Sequence, residues 1–264
     1  MSLSPAALIQ WMNALPPELL WLATLAACFC SVVILHRLFG AAGLFVYVVV
    51  AVIGANIQVL KVVSFSVYPD PVGLGTILFA STYLCTDILA ERYGPAAARK
   101  AVLLGFAGYL FFTLMILLAL GFAPLTPEQA GEGYAWALPI HGHMEALFTP
   151  APALFAASTI AYLLSQYHDV WLYELLRRLT GGRLIWLRNN ASTMISALID
   201  NIVFNSLAFV IFAAEPLAWD AVIFTYILGT YWLRVAVAAV DTPFVYLALR
   251  WRPRASAEPE TVPA

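Results

Sequence analysis

The stretch Ala191–Phe212, ASTMISALIDNIVFNSLAFVIF, is long enough to cross a membrane and is charge-free except for Asp200 near its middle. Ser192, Ser196 and Asp200 recur every fourth residue, and Asn201 and Asn205 form an adjoining row. At helical spacing these polar groups make one continuous stripe. An ionisable carboxylate at mid-bilayer costs several kcal/mol unless it meets a partner or a wet cavity. A stripe facing lipid would leave every one of these groups unsatisfied, so it must face protein or water. Hydrogen bonding between helices is one explanation, and a solute path is the one its density favours.

Composition supports a membrane setting for this stretch. Hydrophobic residues make up 62% of the 264, and charged residues 11%, with a mean hydropathy of +0.86. A soluble domain carries roughly a quarter charged residues, so there is too little charge here to cover a globule. Apolar runs recur at 19–38, 43–64, 72–91, 97–122, 151–174, 190–213 and 220–249. Each is near the ~20 residues that cross ~30 Å of hydrocarbon; the third is the weakest, because its uncharged part is short. The reading is an all-α integral membrane protein, a bundle of six to seven transmembrane helices. Residues 1–18 form an outer N-terminal segment, 19–250 the helical domain, and 251–264 a disordered inner tail rich in Pro, Glu, Ala and Thr.

The charges orient the bundle. With the N-terminus outside and the C-terminus inside, Arg37, then Arg92, Arg99 and Lys100, then Arg177, Arg178, Arg183 and Arg188, then Arg250, Arg252 and Arg254 all fall on the inner side. Only Lys61 and Arg234 do not. The outer connections carry Glu128, Glu132, Glu145, Glu215 and Asp220 and no Lys or Arg. This is the positive-inside pattern. The start of the chain lacks the basic region and small-residue cleavage site of a signal peptide, so the helix at 19–38 is expected to stay.

No Gly-rich phosphate loop, nucleophile elbow or paired-histidine metal motif occurs, and no cofactor, metal, catalytic residue or nucleic-acid partner is expected. Cys28, Cys30 and Cys85 lie in apolar runs and read as small buried side chains. His141, His143 and Glu145 sit in a Pro/Gly-rich outer loop and read as solvating. Gly105 and Gly108 read as close helix contacts.

The remaining intramembrane polar groups cluster on four further helices. Asn56, Gln58 and Lys61 end the second helix; Lys61 reads as snorkelling to the outer interface, and Asn56 as either an interhelical hydrogen bond or a ligand contact. Asp87 and Glu91, four apart, share a face of the third helix. Glu91 reaches the inner interface beside Arg92, whereas Asp87 lies a turn deeper near the hydroxyls of Tyr83 and Thr86. Gln166 and Asp169, three apart, offer donors and acceptors together, and His168 between them reads as a packing residue. Arg234, on the last helix, is the one cation deep enough to neutralise Asp200 or Asp241, and a structural salt bridge is its leading reading.

Taken in order, ANIQVLK at 55–61, TDILAERYG at 86–94, QYHDVWLY at 166–173, NAST at 190–193 and Asp200-Asn201 resemble the queuosine precursor transporter family, also called the vitamin uptake transporter family. The resemblance runs from about Gly43 to Arg250 and adds a first helix typical of the longer members. It implies import of 7-deazaguanines such as preQ0, preQ1 or queuine across the cytoplasmic (inner) membrane, not enzymatic activity. Asn56, Gln58, Asp87, Gln166, Asp169, Asp200, Asn201, Asn205 and Arg234 are the expected substrate-binding residues, and Asp87, Asp200 and Asp241 the candidates for proton coupling. A carboxylate beside an amide can read the amino-pyrimidinone edge of such a base, and tyrosines 83, 167 and 226 could stack on its ring. The expected partners are that small molecule and the lipid bilayer, with a homo-oligomer left open. Two other readings stay open on the residues alone: a substrate-binding subunit of an energy-coupling-factor importer, and a small intramembrane enzyme.

Overall fold

The computed structural model describes residues 4–66, 68–149, 152–251 and 253. Helix α1 (Pro5–Asn13) opens with Pro5 at its first position and the Ser4 hydroxyl accepting from the Ala7 amide at 3.2 Å. Helix α2 runs Pro17–Gln58 but is broken at Gly40, whose φ of 59° and ψ of −138° lie outside helical space. A Cβ at Gly43 would strike the carbonyl of Leu35, eight residues back, whereas eight residues of straight helix rise ~12 Å. The chain therefore folds back at Gly40, and the two arms pack Phe29, Val32, Leu44 and Val48 into a fully buried seam.

A β-hairpin follows, β1 (Val62–Phe65) against β2 (Tyr68–Gly73), pairing Val62 with Gly73 and Val63 with Val72 and bulging before Phe65. The expected helices at 43–64 and 72–91 are corrected here: α2 ends at Gln58, and α3 begins only at Thr76. Pro69 and Pro71 forbid helix, and the Val-Val-Ser-Phe segment favours extended backbone. Glu18 holds the hairpin turn, accepting from the Ser66 amide at 2.5 Å and its hydroxyl at 2.7 Å. Gly75, at φ 98°, enters α3 where a Cβ would lie 2.6 Å from the Ala55 carbonyl.

Helices α3 (Thr76–Tyr93) and α4 (Pro95–Leu120) meet at Gly94. The connection beyond α4 carries α5 (Pro127–Ala130) and α6 (Ile140–Phe148). Helix α7 (Pro152–Leu179) pairs with α8 (Ile185–Ser206), which continues as a π-helical segment, Leu207–Ile211. After α9 (Trp219–Ala221), a second π-helical segment, Val222–Leu228, leads into α10 (Gly229–Arg250). Helix α8 starts five residues before the expected 190, so Arg188, assigned to an inner loop from sequence, lies within the helix and is fully buried.

The chain is 82% helical. Pro17–Gln58, Pro95–Leu120, Ile185–Ile211 and Trp219–Arg250 are each long and apolar enough to cross a membrane. Their outward faces are apolar: Val46, Val50, Phe111, Leu118 and Ile195 are exposed. The interior, by contrast, holds Asp87, Gln166, Asp169, Arg188, Asn189 and Asp241, each buried. An apolar exterior around a polar centre is the arrangement that lipid selects. Gly105 and Gly108 make the close crossings read from sequence: Cβ atoms there would stand 2.5 Å from the Tyr162 hydroxyl and 2.6 Å from Val49.

Candidate functional site

The polar interior is built in three strata. At the hairpin end of the bundle lies a cavity of about 520 Å³. It is bounded by the end of α2, the hairpin, the second half of α4, the start of α7, the end of α8 and the start of α10. Its walls carry aromatic pairs, Phe209–Tyr226 at 4.9 Å, Tyr109–Phe155 at 5.2 Å and Phe112–Phe148 at 5.8 Å between ring centres.

Amides line the cavity floor. Asn201 donates to the Ile227 carbonyl at 2.7 Å, where π-helical winding gives way to α10, and to the Thr230 hydroxyl at 3.1 Å. Asn205 donates back to the Asn201 carbonyl at 2.7 Å. Across the cavity, Ser158 donates to the Asn56 side-chain oxygen at 2.6 Å, while the Asn56 amide donates to Val52. Arg234 closes the floor, its Nη1 donating to Asp200 Oδ2 at 2.6 Å. The Ser165 hydroxyl contacts the other Asp200 oxygen at 3.2 Å.

A second stratum lies directly below, on α3, α7 and α8. Gln166 donates to the Thr82 hydroxyl at 2.8 Å, and His168 Nδ1 meets the Ser196 hydroxyl at 2.9 Å. Asp169 faces the hydroxyls of Ser192 and Ser196, and lies within electrostatic reach of Asp87. Both carboxyl oxygens of Asp87 are buried with no hydrogen-bond partner among the described residues. Among the described residues, no arginine makes an ion pair with either carboxylate.

The third stratum seals the end where the basic residues gather. Arg188 Nη2 donates to Glu91 at 2.5 Å, Tyr173 donates to the same carboxylate at 3.1 Å, and Arg177 stands 4.0 Å away. Beside them Asn189 donates to Asp241 at 2.6 Å. Glu91 was read as reaching the inner interface beside Arg92, but the Arg92 guanidinium donates to the Leu249 carbonyl at 3.1 Å. Arg92 follows Glu91 directly, and side chains one residue apart diverge on a helix.

Of the residues singled out from sequence, Asn56, Asn201, Asn205 and Arg234 line the large cavity. Asp200 touches it through Arg234. Asp87, Gln166 and Asp169 come together in the buried layer beneath, and Asp241 lies further in, held by Asn189 rather than Arg234. Gln58 turns away into a second cavity of about 320 Å³, between α1, α2 and the hairpin, shared with Lys61 and Trp21. Of the tyrosines read as stacking groups, Tyr226 lines the cavity and Tyr83 and Tyr167 do not; sequence reasoning missed Arg188, Ser158, Ser165 and the phenylalanine walls. Arg188 could have been found from the apolar Ile185-Trp186-Leu187 before it, unbroken by glycine or proline.

An apolar helical exterior, a polar interior and a cavity of about 520 Å³ between the helices are the features of a membrane transporter. Residues 73–248 match the family described as "Putative vitamin uptake transporter", and the chain belongs to that family. It is 32% identical over 235 residues to a Bacillus subtilis (strain 168) protein named "Probable queuosine precursor transporter", covering 88% of this chain and 95% of that relative. No solved structure matches it.

Proposed function

We propose that this protein imports queuosine precursors, 7-deazaguanines such as preQ0, preQ1 or queuine, across the cytoplasmic membrane, and is not an enzyme. The observation that carries this reading is the 32% identity to the Bacillus subtilis relative over nearly its whole length. The cavity is consistent with it: about 520 Å³ suits a purine-sized solute, amides and a guanidinium offer both donors and acceptors, and aromatic walls suit a flat heterocycle.

In this reading the bundle has seven spans, with the two arms of α2 counted separately. The N-terminus is outside and the C-terminus inside, by the positive-inside pattern. The cavity then opens outward, and the Glu91–Arg188 layer closes the inner side. Substrate docks on Asn56, Asn201, Asn205 and Arg234. Passage requires the layer of Asp87, Gln166 and Asp169 to open in turn, as alternating access around a midplane site demands. Asp87, Asp200 and Asp241 are the groups whose protonation would couple import to a proton gradient.

The test is uptake of labelled preQ0 or queuine into cells that cannot make their own precursor, with and without this protein. Uptake that depends on the protein supports the reading. Equal accumulation in both strains overturns it. If Asp200→Asn and Asp169→Asn both import at the native rate, the site assignment fails even if transport stands.

A further inference from the structure

We infer that the cavity ranks 7-deazaguanines by charge, preferring those with a neutral C7 substituent over those that carry an ammonium there. This rests on the transport reading above. Among the described residues lining the cavity, Arg234 is the one charged side chain, and no carboxylate lines it. Asp200 is the nearest acid, but Arg234 lies between it and the cavity and takes its Oδ2 at 2.6 Å, while Ser165 takes the other oxygen.

The charged group on the floor is therefore a donor. A guanidinium has five N–H groups, and among the described residues the one hydrogen bond Arg234 makes is from Nη1 to Asp200. The Asn201 and Asn205 amide nitrogens are committed to protein carbonyls. An entering base would meet Arg234 with a carbonyl or a nitrile nitrogen, both acceptors. The walls near the mouth are aromatic and aliphatic, with Phe112, Phe148, Phe155 and Phe209 among them.

A cationic substituent fares differently. An alkyl amine is protonated at neutral pH. Inside the cavity its charge would lose water, find no lining carboxylate and face the Arg234 cation. A nitrile at the same position carries no charge to desolvate. The neutral compound should be preferred by at least about tenfold, a small part of what burying an unpaired charge costs.

The experiment is competition for labelled preQ0 uptake in the precursor-deficient strain, with unlabelled preQ0 (nitrile) against unlabelled preQ1 (aminomethyl). We expect preQ1 to need at least about ten times the concentration for equal inhibition. Thr113→Asp places a carboxylate in the cavity wall and should move that ratio toward preQ1, while Thr113→Asn should keep the native ratio. Equal competition by preQ1 in the native protein overturns the charge selection and leaves the transport reading standing. Uptake of labelled preQ1 without uptake of preQ0 likewise overturns the charge selection, and absence of protein-dependent uptake of preQ0, preQ1 and queuine alike overturns the transport reading. Should Thr113→Asp fail to reach the membrane, the native-protein competition still decides.

Discussion

Arg234 on α10 and Asp200 on α8 form an ion pair at 2.6 Å, each side chain about one-eighth exposed (13% and 12%), and Arg234 is the member of the pair that lines the large cavity. Breaking a buried pair by removing one partner leaves the other charge uncompensated, at a cost of roughly 3–5 kcal/mol. Arg234→Gln and Asp200→Asn should each lower the melting temperature in detergent and cut uptake by more than about tenfold. The double variant should recover stability relative to either single one, because no unpaired charge remains. A double variant as unstable as the sum of the singles would show that the two residues are not coupled.

The inner closure should be sensitive too. Arg188 is fully buried and donates to Glu91 at 2.5 Å, with Tyr173 on the same carboxylate. Arg188→Met, similar in length but uncharged, leaves the Glu91 carboxylate with Tyr173 and the more distant Arg177 and should destabilise by about 1–3 kcal/mol. Arg188→Met together with Glu91→Gln should be milder. Thermal unfolding in detergent checks both.

Helix crossings at glycine give a purely steric prediction. A Cβ at Gly105 would stand 2.5 Å from the Tyr162 hydroxyl and 3.0 Å from Val48. Gly105→Val should force α4 away from α2 and α7 and cost about 1–3 kcal/mol by overpacking. Gly133, where an added Cβ meets nothing within 4 Å, should accept alanine with an unchanged melting temperature.

Orientation is testable by labelling. In a background with Cys28, Cys30 and Cys85 changed to Ser, Val62→Cys lies at the exposed hairpin edge of the cavity and Leu179→Cys at the basic end. A membrane-impermeant maleimide added to intact cells should label the first and spare the second. The opposite pattern would invert the proposed topology.

Proton coupling predicts that uptake of labelled precursor collapses with a protonophore, and that Asp87→Asn abolishes the gradient dependence. Asp87 is buried with both oxygens unpaired among the described residues, so its protonation state changes the energy of the closed layer more than that of a hydrated one. Uptake insensitive to the gradient would point to facilitated diffusion instead.

Much of this architecture could be read directly from the chain. The amounts of apolar surface and charge required lipid around helices, because neither can be hidden in a water-soluble globule of this composition. The polar stripe through Ser192, Ser196 and Asp200 announced a polar interior, because helical periodicity alone puts those side chains on one face. The 62–73 hairpin was harder: a short β-branched run beside an apolar helix satisfies both patterns, and only the two prolines argue against helix.

Tertiary structure decided which polar groups meet. Periodicity assigns Asp87, Asp169 and Asp200 to faces, yet nothing local says that Asp200 would pair with Arg234 while Asp87 and Asp169 come within electrostatic reach of each other. Nor could it say that Arg188 would fold inward onto Glu91, 97 residues earlier in the chain. Partner choice across a bundle depends on rotation and depth of whole helices, set by close crossings such as Gly105 on Tyr162 and the reversal at Gly40. Those are properties of packed pairs, whereas composition and period belong to single segments, and so the chain by itself specified the solvent and the helices while only their packing made a cavity.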